Sequence, residues 1–278
     1  MKPRIIAAIV LGLTLVGASF MLRPEATEQN LTLAKKEGGR PIRDFIPVKD
    51  SDDNGIPDWQ ESFAKEPIEI DTNSSVSTTT RTGQLVSNLA SYLMTKPGNP
   101  ELAVSLFSQE LATEILDEQY EETDIKTILD NGPAALRAYG NRVAEIAGGY
   151  TLPNGTEDEM TILNRSFVRS DEKILTELDP IIAAYKGMRD DMLALPVPSS
   201  LKREHISLIN VYNALYIDIT AFRGVYDDAL TAMLRFRRYP ADAAALYTAI
   251  SNLYLKLHES GIQWNESDPA SKFIRIES

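Results

Sequence analysis

A mainly α-helical chain is the fold class that this sequence predicts. Two observations carry that expectation. From Gly83 onward apolar residues recur at spacings of three and four nearly everywhere, and no stretch sustains the every-second-residue alternation of a half-buried strand. A third narrows it: no Gly-rich phosphate loop and no internal repeat interrupts the pattern, so a helical bundle is expected rather than an α/β or repeat fold.

Each helix has its own start and stop. Leu85, Leu89, Tyr92 and Leu93 form one stripe, ended by Lys96-Pro97-Gly98. Asn99 caps the next, with Pro100 in its first turn and Leu102, Ala103, Leu106, Phe107, Leu111 and Ile115 on one face. Thr123 can cap a short helix that Asn131-Gly132 ends. Pro133 opens another, with Leu136, Tyr139, Val143 and Ile146 inward and Gly148-Gly149 as its stop. The longest pattern follows: Met160, Leu163, Phe167, Ser170, Ile174, Leu178, Ile181, Tyr185, Met188, Met192 and Leu195. After Pro196-Val197-Pro198 it resumes through Leu201, His205, Leu208, Tyr212, Leu215, Ile219, Phe222, Tyr226, Ala229 and Met233. Two helices of about 38 residues, roughly 57 Å each, are expected here. Their short Pro-containing joint predicts a long antiparallel helical hairpin. Pro180 should kink or split the first, and Tyr239-Pro240 should end the second. A last helix carries Ala243, Leu246, Ile250, Leu253 and Leu257 and closes at Gly261, leaving an irregular tail from Trp264.

The N-terminus points to a compartment. Lys2 and Arg4 precede an uncharged run, Ile5 to Leu22, that ends at Arg23. Its roughly eighteen residues make a helix of about 27 Å, enough to cross a hydrocarbon core. Positive charge before the run and Glu25 and Glu28 after it place the N-terminus in the cytoplasm and the body outside. Cleavage after Val16-Gly17-Ala18, releasing a secreted protein, is the competing reading. The run continues past that site through Phe20-Met21-Leu22, which favours an uncleaved anchor. The chain has no cysteine, which excludes disulfides, thiolate catalysis, thiolate zinc sites and lipid attachment at a lipobox. A formal charge of −12, with no long basic cluster, makes nucleic acid an unsuitable partner.

One segment carries recognisable ligand chemistry. In Asp50-Ser51-Asp52-Asp53-Asn54-Gly55-Ile56-Pro57-Asp58-Trp59-Gln60-Glu61, carboxylate or amide oxygens fall at positions one, three, five, nine and twelve of a twelve-residue loop. Gly55 sits at six, where the chain turns sharply, and Ile56 at seven can offer its carbonyl. Asp50, Asp52, Asn54, Ile56, Asp58 and Glu61 are therefore the candidate ligands of one Ca²⁺ ion. Gly38-Gly39-Arg40-Pro41 and Pro47 upstream make poor helix, whereas Trp59 to Lys65 can begin one. This half EF-hand resembles thrombospondin type 3 and dockerin-type calcium loops over residues 45–65. The resemblance implies calcium held for structure rather than for signalling. The plain alternative is an acidic, solvated turn.

The remaining polar residues have simpler expectations. His205 lies on a core stripe and is expected to be an interior or edge histidine with its hydrogen bonds satisfied. His258 sits in the last turn of the final helix. Asp117, Glu118, Glu121, Glu122 and Asp124 form an acidic patch, expected to be a solvated helix junction, although it could hold a second cation. Asp218, in the apolar turn Tyr216-Ile217-Asp218-Ile219, can pair with Arg223 or a neighbouring helix, or face water. Arg235, Arg237 and Arg238 read as helix C-terminal cations. No histidine pair has metal-ligand spacing and no nucleophile elbow is present, so no catalytic residue is assigned.

The expected organisation is an N-terminal transmembrane anchor or signal peptide (1–23), a tether (24–44) and the calcium loop segment (45–66). A Ser/Thr-rich linker (67–82), a helical bundle (83–263) and the tail (264–278) follow. The expected role is a non-enzymatic, membrane-anchored, extracytoplasmic calcium-binding protein of structural or interaction type, with a protein partner in the envelope. Two alternatives remain: a subunit of an envelope secretion or filament assembly, which needs an apolar stripe left exposed, and an extracytoplasmic hydrolase, which needs carboxylates in a cleft.

Overall fold

The computed structural model describes residues 79–84 and 117–272. The anchor, the tether, the calcium loop, most of the linker and the two helices expected between Leu85 and Ile115 lie outside the described residues. What is described is mainly helical, as the periodicity predicts. Five helices carry the core: α1 (Pro133–Gly149), α2 (Glu159–Arg169), α3 (Asp179–Ala194), α4 (Lys202–Arg223) and α5 (Ala229–Glu259). Among the described residues no helix is long and apolar enough to cross a membrane.

The first of the two expected long helices is three pieces. Asp158 accepts from Thr161 N–H at 2.9 Å and starts α2. Ser170 then takes a left-handed conformation, φ 52° and ψ 38°. The N–H of Asp171 reaches the Ser166 carbonyl and that of Ser170 the Phe167 carbonyl, both at 3.0 Å. This is a Schellman stop with serine where glycine is usual, so the sequence lacked its ordinary marker. A 3₁₀ turn, Glu172–Leu178, leads into α3, and Pro180 sits in the first turn of that helix rather than in its interior.

The second expected helix breaks elsewhere than at Pro240. Helix α4 ends at Gly224, whose N–H is shared between the carbonyls of Thr220 and Ala221. A turn follows, and Asp228 caps α5. Pro240 lies inside α5 and has no N–H to contribute to the helical ladder. The helix continues because both halves bury one face: Phe236 and Tyr239 before the proline, Leu246, Ile250 and Leu253 after it. An ion pair from Arg238 Nε to Asp242 at 2.7 Å spans the site. Gly261, at φ 80°, ends the helix as expected, with its N–H on the His258 carbonyl at 2.8 Å.

The expected hairpin is present in a shorter form. Met192 meets His205, Arg189 meets Asn213, and Asp179 meets Arg223. As one number falls the other rises, so α3 and α4 run antiparallel. Helix α5 then returns along the other side of α4, with Arg235 near Asp218 at one end and Asn252 and Lys256 beside Arg203 and Ser207 at the other. Instead of the short helix expected near Thr123, residues Glu122–Asp124 form a 3₁₀ turn, followed by a two-residue strand, β1 (Thr127–Ile128). It pairs in parallel with β2 (Val197–Pro198) in the α3–α4 joint. Two residues per strand are too few for alternation to show in sequence.

The tail is less irregular than expected. Ile262 and Ala270 enter the core, and Pro269–Lys272 forms a 3₁₀ turn against α1. Asp268 accepts from Arg137 at 2.5 Å and from Asn141 at 3.0 Å. The Trp264 ring lies over Gly140, where an added Cβ would stand 2.4 Å from the ring and 3.0 Å from Leu257.

At the other end, Asp228 joins two chain segments. Its carboxylate accepts from the N–H groups of Arg81 and Thr82 and from those of α5 at Thr231. In return the Thr82 hydroxyl accepts from Leu230 N–H at 2.8 Å. The chain therefore enters the bundle at residues 81–82, at the N-terminus of α5.

Gly140→Ala is expected to destabilise by roughly 1–3 kcal/mol through overpacking, and Gly148→Ala, where nothing lies within 4 Å, to be neutral or stabilising. Urea denaturation of the two variants checks this. Asp228→Ala should cost about 2 kcal/mol at neutral pH for the lost caps. Burial by itself would raise the Asp228 pKa, but the Thr82 and Thr231 hydrogen bonds outweigh it and hold the group below its ordinary value of 3.8. Its contribution is therefore present above about pH 4 and disappears as acid protonates the native carboxylate, which melting curves at acid and neutral pH would reveal.

Candidate functional site

Asp50, Asp52, Asn54, Ile56, Asp58 and Glu61 all lie outside the described residues. Among the described residues no group of three or more His, Asp or Glu side chains is placed to hold a metal ion. The acidic residues at 117–124 do not form such a group, and they divide into two kinds. Glu118, Glu121, Glu122 and Asp124 are exposed, as a solvated junction requires, and Glu122 pairs with Lys202. Asp117 departs from that expectation, because its side chain is only 1% exposed.

Asp117 belongs to a buried ionic cluster. Arg235 Nη1 stands 2.5 Å from its Oδ1, and Arg238 Nη2 stands 2.9 Å from its Oδ2. Arg235 also reaches Asp218 of α4 at 3.5 Å, while Arg238 turns its Nε to Asp242. The arginines expected at a helix end thus lie within α5, near its start; Arg235 and Arg238 turn to the cluster, whereas Arg237 is exposed. Of the three expectations for Asp218, the neighbouring helix holds: it faces α5, while Arg223 pairs with Asp179 at 2.9 Å.

The charge count in this cluster is uneven: three carboxyl groups face two guanidinium groups. Asp218 is fully enclosed, and among the described residues no N–H or O–H donor reaches either of its oxygens in hydrogen-bonding geometry. Burial pushes the Asp218 carboxyl up from 3.8 to about 8, and the adjacent Asp242 carboxyl adds to this; Arg235 and Arg238 pull the other way. The protonated carboxyl can donate to Asp242, which balances the cluster. What the arrangement can do chemically is hold and release one proton. Enclosed among guanidiniums, it offers no face to a substrate.

His205 is buried and satisfied, as expected. Its Nε2–H donates to the Met192 carbonyl at 3.0 Å, which fixes Nδ1 as the acceptor for the Tyr139 hydroxyl at 2.7 Å. Burial lowers its pKa from 6.5 to about 4, against the Met192 hydrogen bond, which favours the charged form. It is a neutral tie between α1, α3 and α4.

A surface groove of about 400 Å³ lies between α4 and the C-terminal half of α5, lined by Arg203, Glu204, Ser207, Asn252, Lys256 and Glu259 among others. Asp218 and His205 do not line it. Sequence reasoning singled out Asp218 by its apolar surroundings but missed its partners. The available signal was the Arg238/Asp242 pair at helical spacing across Pro240, which makes sense only if the helix continues.

Comparison with protein-family models, with curated proteins and with solved structures finds no match to this chain.

The two buried titrations act in opposite directions. Native His205 binds its proton only near pH 4, the unfolded one near 6.5, so its contribution to stability is lost as pH falls through that window. Native Asp218 keeps its proton to about pH 8, the unfolded one only to 3.8, so its contribution is lost as pH rises. Above 6.5 only the second acts, and stability should decline toward pH 8, by at most about 1.4 kcal/mol per unit for one proton. Asp218→Asn should flatten that decline, as measured by urea unfolding across this range.

Proposed function

We propose that this chain is a membrane-anchored, extracytoplasmic calcium-binding protein of structural or interaction type. Calcium would order the segment between the anchor and the helical bundle. The observation that carries the reading is the spacing of oxygen donors from Asp50 to Glu61 around Gly55. The donor set is made of hard oxygens, with carboxylates at four of its six positions, which suits Ca²⁺. Asp50, Asp52, Asn54, Asp58 and Glu61 supply side-chain oxygens and Ile56 its carbonyl. The apolar run at residues 5–22 supplies the anchor.

The bundle is consistent with this arrangement. It has its own core and receives the chain at residues 81–82, where Asp228 fastens it to α5. A load carried by the bundle therefore passes to the linker at one defined point. Calcium some twenty residues upstream, bound with a Kd on the order of 10⁻⁴–10⁻³ M as in extracellular modules, would set how far the bundle stands from the membrane.

The alternatives draw less support. An assembly subunit would leave an apolar stripe uncovered, yet Leu129, Val168 and Leu255, the large apolar side chains exposed among the described residues, lie on separate elements. A hydrolase would place its perturbed carboxylate in a cleft, whereas Asp218 is enclosed.

Calorimetric titration of calcium into the full-length chain, held in neutral detergent, should give about one saturable site. Asp50→Ala and Glu61→Gln should each abolish the heat. Absence of heat at millimolar calcium would reduce the loop to an acidic turn and remove the reading.

A further inference from the structure

Residues 117–121 lie on the α4–α5 pair through few contacts. Tyr120 exchanges two hydrogen bonds with the Asn210 side chain, at 2.7 and 3.1 Å. Asn213 Nδ2 donates to the Glu118 carbonyl at 3.4 Å, a long bond. The half-buried Tyr120 ring packs against the core, and Asp117 is held by Arg235 and Arg238. Arg235 is the contested member, since it stands between Asp117 at 2.5 Å and Asp218 at 3.5 Å.

Among the described residues, the charged groups facing Asp218 are Arg235, Arg238 and Asp242 of α5, with Asp117 reaching it through Arg235. Helix α3 packs on the other side of α4, where its Arg189 engages Asp190, Asn213 and the Tyr216 ring. Three carboxylates cannot all be matched by two guanidiniums in an enclosed space, so one must carry a proton or lose its partner. Asp218 and Asp242 sit on rigid helices. Asp117 sits outside the described helices, in the stretch before the Glu122–Asp124 turn, and is the member of the cluster not fixed by a described helix.

We propose that this cluster is a proton-operated latch. With one proton shared between Asp218 and Asp242, Arg235 serves Asp117 and holds residues 117–121 on the α4–α5 pair. When that proton leaves, Arg235 is drawn to Asp218 and the segment is released. The helices stay packed, because Phe222, Phe236 and Tyr239 close their interface beside the cluster. The device does not depend on calcium.

Hydrogen exchange of the full-length chain in neutral detergent tests this, at about pH 6 and about pH 9 with intrinsic rates corrected for pH. Protection of 117–121, measured against α1, should fall on the order of tenfold at the higher pH. In Asp218→Asn, which cannot ionise, the segment should stay protected at both. Equal relative protection at the two pH values in the unmodified chain, or an undiminished step in Asp218→Asn, overturns the proposal. Should Asp218→Asn fail to fold, Asp117→Asn decides. Without the contested carboxylate the segment should be weakly protected at both pH values, and a surviving step overturns the latch.

Discussion

Helix α4 packs against α3 on one side and α5 on the other, so a polar side chain that it turns inward is costly unless it meets a partner inside the protein. That constraint organises the described structure. His205 draws in Tyr139 of α1 and the end of α3. Asn210 and Asn213 hold the backbone of residues 118–120, and Asn213 also takes a hydrogen bond from Arg189. Asp218 recruits Arg235 from α5. Apolar burial supplies the cohesion, and these four side chains decide which element lies at which height along α4.

The ionic cluster illustrates the cost of such specificity. Buried charges repay their desolvation poorly, and an odd carboxyl among them repays it worst. The chain retains the arrangement at the place where Pro240 weakens α5 and where residues 117–121 meet the α4–α5 pair. Arg238 uses both needs at once, bridging the proline to Asp242 and reaching Asp117. An apolar cluster of the same volume could pack the helices, but it would neither fasten that segment nor respond to pH.

Calcium and proton chemistry would act at different distances from the core. In the proposed reading, the contiguous oxygen donors of residues 50–61 would be ordered by an ion, since that stretch of sequence carries few apolar residues. The cluster at 117–242 needs no ion, since the fold brings its counter-charges together. Between them the chain is fastened at Asp228, where two helix starts share one carboxylate and unsatisfied N–H groups are matched at little expense.

The mainly helical class, α1 with its ends, the antiparallel order of α3 and α4, the interior His205 and the Gly261 stop were all legible in the sequence. Each follows from interactions within a turn or two of chain. The calcium-loop reading also rests on contiguous donors, and its residues lie outside the described structure. Three things required the tertiary structure. The helix stop at Ser170 uses a residue that seldom takes a left-handed conformation. The passage of α5 through Pro240 rests on burial of both halves, which outweighs one lost hydrogen bond. The partners of Asp218 come from positions far apart in the chain, and only packing decides which charges are excluded from water together.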